Sequence, residues 1–221
     1  MRTHAHAICE KPLVLNPWNL DGLASVEQEM KGQLWTILQL RLHPAIQALR
    51  QQYQASDIVD IELTYIASRG KWYHASWKGD EARSGGIATN IGIHFFDMLI
   101  WCFGAVQHNE VHLHSHDRAA GYLELAGARI KWFLSINPDC LPLEAQEKGL
   151  RTFRSLTIGE AAFDFSQGFE NLHRSSYTQI LAGKGFGLES NRPAIELVQQ
   201  IRTTQPKGSL APNAHPLCVL P

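Results

Sequence analysis

The longest apolar stretch of the chain is SGGIATNIGIHFFDMLIWCFG, residues 84–104. Placed on a helical wheel, Ile87, Ile91, Phe95, Met98, Leu99 and Cys102 share one arc. Asn90, His94, Asp97 and Trp101 share a second arc, roughly 60° wide at about 100° per residue. The positions left over include Ile93, Phe96, Ile100 and Phe103, so the pattern predicts a helix that is buried almost all round. Ser84 is its candidate N-cap and Gly104 its stop. Polar groups in such a helix cost on the order of 1–3 kcal/mol each when buried without partners. The stripe is therefore either the lining of a ligand cleft or a core histidine satisfied by its neighbours.

The pattern on either side predicts the other elements. Residues 4–9 (HAHAIC) read as a short strand, which Glu10-Lys11-Pro12 ends. Pro17 opens a helix that carries apolar residues at helical spacing through 19–34. Residues 34–40 (LWTILQL) read as a strand, and Pro44 opens a second helix that reaches Tyr53. Residues 58–68 alternate as a half-buried strand. The segment RGKWYHASWKGDEARSGG that follows reads as a long polar, aromatic and basic loop, in which Arg69, Lys71, Lys78 and Arg83 make a positive field. After the central helix come strands at 106–115, 122–125 and 128–136, a hairpin at 155–158 and 161–165, and helices at 171–181 and 192–202. Segregated strands predict an α+β domain with a mostly antiparallel open sheet and flanking helices. From Pro206 onward the chain holds four prolines and little periodicity, which reads as a loose tail.

Composition narrows the partners. With 221 residues, 44% hydrophobic, the chain can build a sizeable core, and a net charge of −1 points to neither nucleic acid nor an anionic membrane. Cys9, Cys102, Cys140 and Cys218 are scattered and read as free thiols of a reducing, cytoplasmic compartment. No signal peptide is visible, and the apolar run at 91–103 is short for a membrane span and holds His94 and Asp97.

Three motifs carry candidate chemistry. His112, His114 and His116 alternate, so a strand would put them on one face where zinc or nickel would bind. That spacing matches no standard zinc motif, and no metal ligand is assigned. Gly183-Lys184-Gly185-Phe186-Gly187 follows neither dinucleotide nor phosphate-loop spacing and reads as a turn between helices. Lys11, at the end of a strand, points either into the crevice where open α/β sheets bind ligands or into water.

Taken together, ICEKPL (8–13), RLHPAI (41–46) and GGIATNIGIHFFD (85–97), in this order and at these separations, resemble the glucose-fructose oxidoreductase/inositol dehydrogenase (Gfo/Idh/MocA) family, over residues 1 to about 203. WYHASWKGD (72–80) with NIGIHFFD is similar, within that family, to the UDP-N-acetyl-2-amino-2-deoxyglucuronate dehydrogenases of bacterial lipopolysaccharide and O-antigen synthesis. The resemblance implies a Rossmann-type domain holding NAD, followed by an α+β domain. On this sequence it divides the chain into a dinucleotide-domain remnant (1–35), a substrate and oligomerisation domain (36–205) and a Pro-rich tail (206–221). It implies that the lysine of EKP and the histidine of GxHxxD, here Lys11 and His94, meet at the nicotinamide, with Glu10 and Pro12 beside the cofactor and Gly92 and Asp97 completing the helix motif. Asn90 stands where the wider family commonly has aspartate.

The reaction implied is oxidation of the sugar 3-hydroxyl of a UDP-sugar acid, with His94 taking the proton, Lys11 assisting and Asp97 orienting the ring. Charge and place assign Arg69, Lys78 and Arg83 to a diphosphate or carboxylate, Tyr73 to the sugar or uracil, and Asn90 to the substrate. The resemblance also implies a homo-oligomer through the sheet face. The family's glycine-rich NAD loop lies about a hundred residues before EKP by domain size and is absent from these residues, so the 221 residues alone are expected to bind NAD poorly and turn over little. Two other readings stand beside this one: a non-catalytic remnant that oligomerises or binds sugar nucleotide, and a metal-binding protein using the three histidines.

Overall fold

A computed structural model describes residues 5–53, 58–165 and 167–219. The chain opens with β1 (Ala7–Cys9), α1 (Pro17–Glu29) and β2 (Leu34–Thr36). The two strands pair in parallel, Ile8 opposite Trp35, as a small α/β unit. His4, included in the strand expected at 4–9, lies outside the described residues. Only 34–36 of the expected strand at 34–40 is extended, and 39–42 wind into a 3-10 turn instead. Next come α2 (Pro44–Tyr53), β3 (Val59–Ala67), and the short helices α3 (Lys71–Ala75) and α4 (Glu81–Ser84), where the sequence suggested a long loop. The buried helix follows as a π-helical turn, Ala88–Gly92, that runs into α5 (Ile93–Phe103). β4 (Val106–His114), β5 (Arg118–Leu125) and β6 (Ala128–Ser135) form a meander, and α6 (Leu143–Glu147), β7 (Thr152–Ile158), β8 (Ala161–Ala162), α7 (Leu172–Leu181) and α8 (Arg192–Thr203) complete the chain. β5 begins at Arg118, four residues before the strand expected at 122–125.

The main sheet has the order β4-β5-β6-β3-β7-β8. Its one parallel pair is β3 with β6; the other described pairs are antiparallel. Strand alternation sends Ile61, Leu63, Ile130, Trp132, Leu134, Leu156 and Ile158 to one face, where they enclose α5 in a single core. α2 and α8 pack on the other side of α5. Phe96 meets Trp132 edge to face at 5.2 Å. Gly92 sits where a Cβ would fall 2.7 Å from Leu134 Cδ1 and from Phe96 Cε2, so only glycine allows this close approach of helix to sheet. The helical run Glu81–Phe103 is long and apolar enough to cross a membrane, but it is largely enclosed by the sheet and its neighbouring helices, as a core helix is.

Ser84 does not cap the buried helix. It ends α4, and Gly85 and Gly86, at φ 74° and 69°, turn the chain into the next helical segment. Gly104, at φ 92°, ends α5 as expected. The outer face of the sheet splits in two. Its apolar half, with Ile66, Phe133 and Ala120, is covered by 138–147 and by the C-terminal segment. That segment is docked rather than loose. Lys207 N donates to Val111 O at 2.8 Å, Lys207 Nζ and Asn213 Nδ2 meet Glu110 at 2.8 and 3.1 Å, and Cys218 is buried. Polar anchors that the prolines hid from the periodicity hold it in place.

Candidate active site

The end of β1 and the first turn of α5 converge. The Lys11 side chain is only 2% exposed, and its Nζ donates to Asp97 Oδ2 at 3.1 Å and to Ile93 O at 3.2 Å. From the 3-10 turn before α2, Arg41 grips the same carboxylate from the other side, Nε to Oδ2 at 3.1 Å and NH2 to Oδ1 at 2.7 Å. Arg41 is fixed in turn by Ser190 O at 2.8 Å and by the Phe186 ring, 5.2 Å to the centroid. One buried carboxylate thus ties together three stretches that are far apart in sequence.

Burial works to raise the pKa of Asp97, but Lys11 and Arg41 outweigh it and hold the carboxyl below the ordinary range. Burial lowers Lys11 to about 8, with Asp97 opposing the shift. Burial, and then the charge of Lys11, lowers His94 to about 4. At neutral pH, His94 is therefore an uncharged imidazole beside an ammonium that gives up its proton within reach of physiological pH. The expected Asp97–His94 contact is not made. Both Asp97 oxygens are taken by cations, which donate more strongly than a neutral ring, so Asp97 orients Lys11 and acts on His94 only through its field.

His94 lies where two chambers meet. The inner one, about 250 Å³, runs along the sheet past Gln39, Tyr65, Phe165, Phe169 and Arg154. The outer one, about 240 Å³, is bounded by Lys11, Trp72, Tyr73 and Lys78. Arg69, Asn90, Ile91 and His94 line both. Asn90 Nδ2 donates to Tyr73 Oη at 2.8 Å, which fastens α3 to the π turn and makes Tyr73 a buried wall of the site. Among the described residues, neither Arg69, Lys78 nor Arg154 has a carboxylate within ion-pair distance, so the cleft is electropositive.

A family model described as "Oxidoreductase family, C-terminal alpha/beta domain" matches residues 56–151. Two crystal structures of the WlbA (WbpB) dehydrogenase of Thermus thermophilus are 46% identical to the chain and cover 97% of it, with TM-scores of 0.92 and 0.91. The chain spans 70% of theirs. One is a complex with NAD and alpha-ketoglutarate, the other with NAD and UDP-GlcNAcA. The chain belongs to the Gfo/Idh/MocA oxidoreductase family. The WlbA dehydrogenase of Bordetella pertussis, 17% identical over 89% of this chain and 68% of its own, shares the fold at a TM-score of 0.70.

In this Gfo/Idh/MocA member, Lys11, His94, Arg69, Tyr73, Lys78 and Asn90 all line one cleft, with Asp97 directly beneath. Arg83 does not reach it. The basic segment folds into two separate short helices, so its cations diverge, and Arg83 is exposed on α4. Glu10 turns to the surface, where His173 Nε2 meets it at 3.1 Å. The three histidines do not converge. His112 is buried against Glu110, His114 meets Glu81, and His116 lies beyond the strand with its side chain 78% exposed. Among the described residues, no group of three or more His, Cys, Asp or Glu is placed to hold a metal ion.

Sequence reasoning missed Arg41 and Arg154. Arg41 sits in RLHPAI, but a lone arginine before a helix carries no sign that its partner lies 56 residues away. Arg154 had a signal. It shares a strand face with Leu156 and Ile158, where a cation is out of place unless something charged comes to meet it.

Proposed function

We propose that the site built by these residues serves the oxidation of the 3-hydroxyl of a UDP-linked N-acetylhexosamine uronic acid with NAD as oxidant, a step of bacterial surface-polysaccharide synthesis. The observation that carries the proposal is the meeting of Lys11 and His94 in a cleft also lined by Arg69 and Lys78, which have no ion-pair partner among the described residues. The two WlbA structures, solved with NAD and one of them with UDP-GlcNAcA, support it. The residues at the end of β1 fit a nicotinamide. Parallel strands bind ligands at their carboxyl ends, and there the chain delivers Lys11 into the cleft beside His94. Bound NAD supplies the acceptor for the hydride that leaves the sugar carbon.

The chain's own groups manage the proton. Uncharged His94 accepts the hydroxyl proton. The Lys11 ammonium, held by Asp97, stabilises the alkoxide that develops. A substrate that brings a diphosphate and a carboxylate into the cleft raises the basicity of His94, as any nearby negative charge does. Arg69 and Lys78 hold the diphosphate. Calorimetric titration with UDP-GlcNAcA, with and without NAD, tests the reading. Saturable binding that weakens in Lys78→Ala is expected; no binding under either condition refutes it.

A further inference from the structure

We infer that Arg154 is the residue that reads the sugar's carboxylate, its guanidinium being the anion-recognition group of the inner chamber. This rests on the substrate proposed above. Arg154 stands opposite Tyr65 in the β3–β7 register, on the core face of the sheet. Its guanidinium is walled by aromatic rings, 5.6 Å from the centroid of Tyr65, 5.0 Å from Phe165 and 5.1 Å from Phe169. Such rings steady a cation and hold its plane without neutralising it. Arg154 Nε is buried with no hydrogen-bond partner, and no described carboxylate pairs with the side chain. A desolvated N–H of a cation left open in this way is an unfilled donor.

The size of the chamber selects the ligand group. At about 250 Å³ it falls below the roughly 300 Å³ at which pockets for a whole drug-sized ligand begin, so only part of a nucleotide sugar enters. His94 lines both chambers and so stands where they meet, and the part placed inside is the ring whose hydroxyl faces it, with the rest of the nucleotide in the outer chamber. The carboxylate of a uronic acid is carried on that same ring. It enters with the reacting carbon and meets Arg154, the one charged group among the described residues that lines the inner chamber alone; Arg69 is shared with the outer chamber. A planar carboxylate matches the fork of Nε and a terminal nitrogen, whereas the diphosphate, further along the molecule, is left to Arg69 and Lys78.

The test is calorimetry on the chain and on Arg154→Met, with UDP-GlcNAcA, the uncharged UDP-N-acetylglucosamine and UDP as ligands. The methionine keeps an apolar stem against the aromatic rings, and thermal melts check the fold. The unsubstituted chain is expected to favour the acid over the neutral sugar. In Arg154→Met, affinity for the acid falls about tenfold or more, as for loss of a charged hydrogen bond, while affinities for the neutral sugar and UDP stay unchanged. Equal losses for all three ligands would place Arg154 on the diphosphate and overturn the inference, as would an unchanged preference for the acid. An unsubstituted chain that binds none of the three sinks the substrate reading, and this inference with it. If the methionine variant does not fold, Arg154→Lys takes its place; it keeps charge and stem but lacks the fork, so its preference for the acid falls too.

Discussion

Asp97 carries one negative charge between two cations, buried with them. Removing one member of such a set leaves charge uncompensated and typically costs about 3–5 kcal/mol. Asp97→Asn is therefore expected to lower unfolding stability by about 3 kcal/mol, read from urea transitions with unchanged slope. The same charges set the imidazole. Lys11 is one of the causes that hold His94 at about 4. Lys11→Met removes that charge, so the His94 titration followed by NMR moves upward toward its ordinary value, while burial keeps it from arriving. A His94 resonance that titrates as before would show that Lys11 does not act on the ring.

The helix that presents these residues is not the uniform α-helix of the wheel. Residues 88–92 form a wider π-helical turn before α5 begins, and such turns cluster at functional sites. Asn90 sits in it and ties down Tyr73. A periodicity fitted at about 100° per residue has no means of showing a local change of pitch, because the apolar positions stay apolar in either geometry. The close approach at Gly92 makes a separate prediction. In Gly92→Ala the new Cβ collides with Leu134 and Phe96, both packed in the core. Overpacking of this kind costs typically about 1–3 kcal/mol, and a melting temperature unmoved by the substitution would count against the close helix–sheet contact.

Across the whole molecule, the C-terminal segment seals the apolar half of the outer sheet face and carries a pH-sensitive pin. His215 is 2% exposed; it is hydrogen-bonded to Thr64 Oγ1 at 2.9 Å, stacked on Phe133 at 5.5 Å, and lies 3.8 Å from Glu62. Burial, and then Lys131, lowers it to about 4. The unfolded chain takes up this proton near pH 6.5 and the folded one only near 4. The stability contributed by neutral His215 is thus complete above pH 6.5 and is lost as pH falls toward 4. His215→Gln should flatten this part of the stability–pH curve; an identical slope would assign the acid sensitivity elsewhere. The half of the face left open carries Asp60, Glu62, Arg129 and Lys131 on alternate strand positions. The family resemblance implies a homo-oligomer through the sheet face; for association through this charged half, sedimentation equilibrium at low and high salt is expected to show weaker association at high salt. The sequence by itself determined the order of elements, the buried helix and the antiparallel meander, because periodicity is a local property of a chain; the meeting of Lys11 and His94 was only what the family resemblance implied. Only the tertiary structure decided that Asp97 serves Lys11 and not the imidazole, that Arg41 and Arg154 belong to the site while Arg83 does not, and that the proline-rich end is a docked strap. Each of these depends on which distant charge or apolar face wins a buried partner, and that competition exists only once the chain is folded.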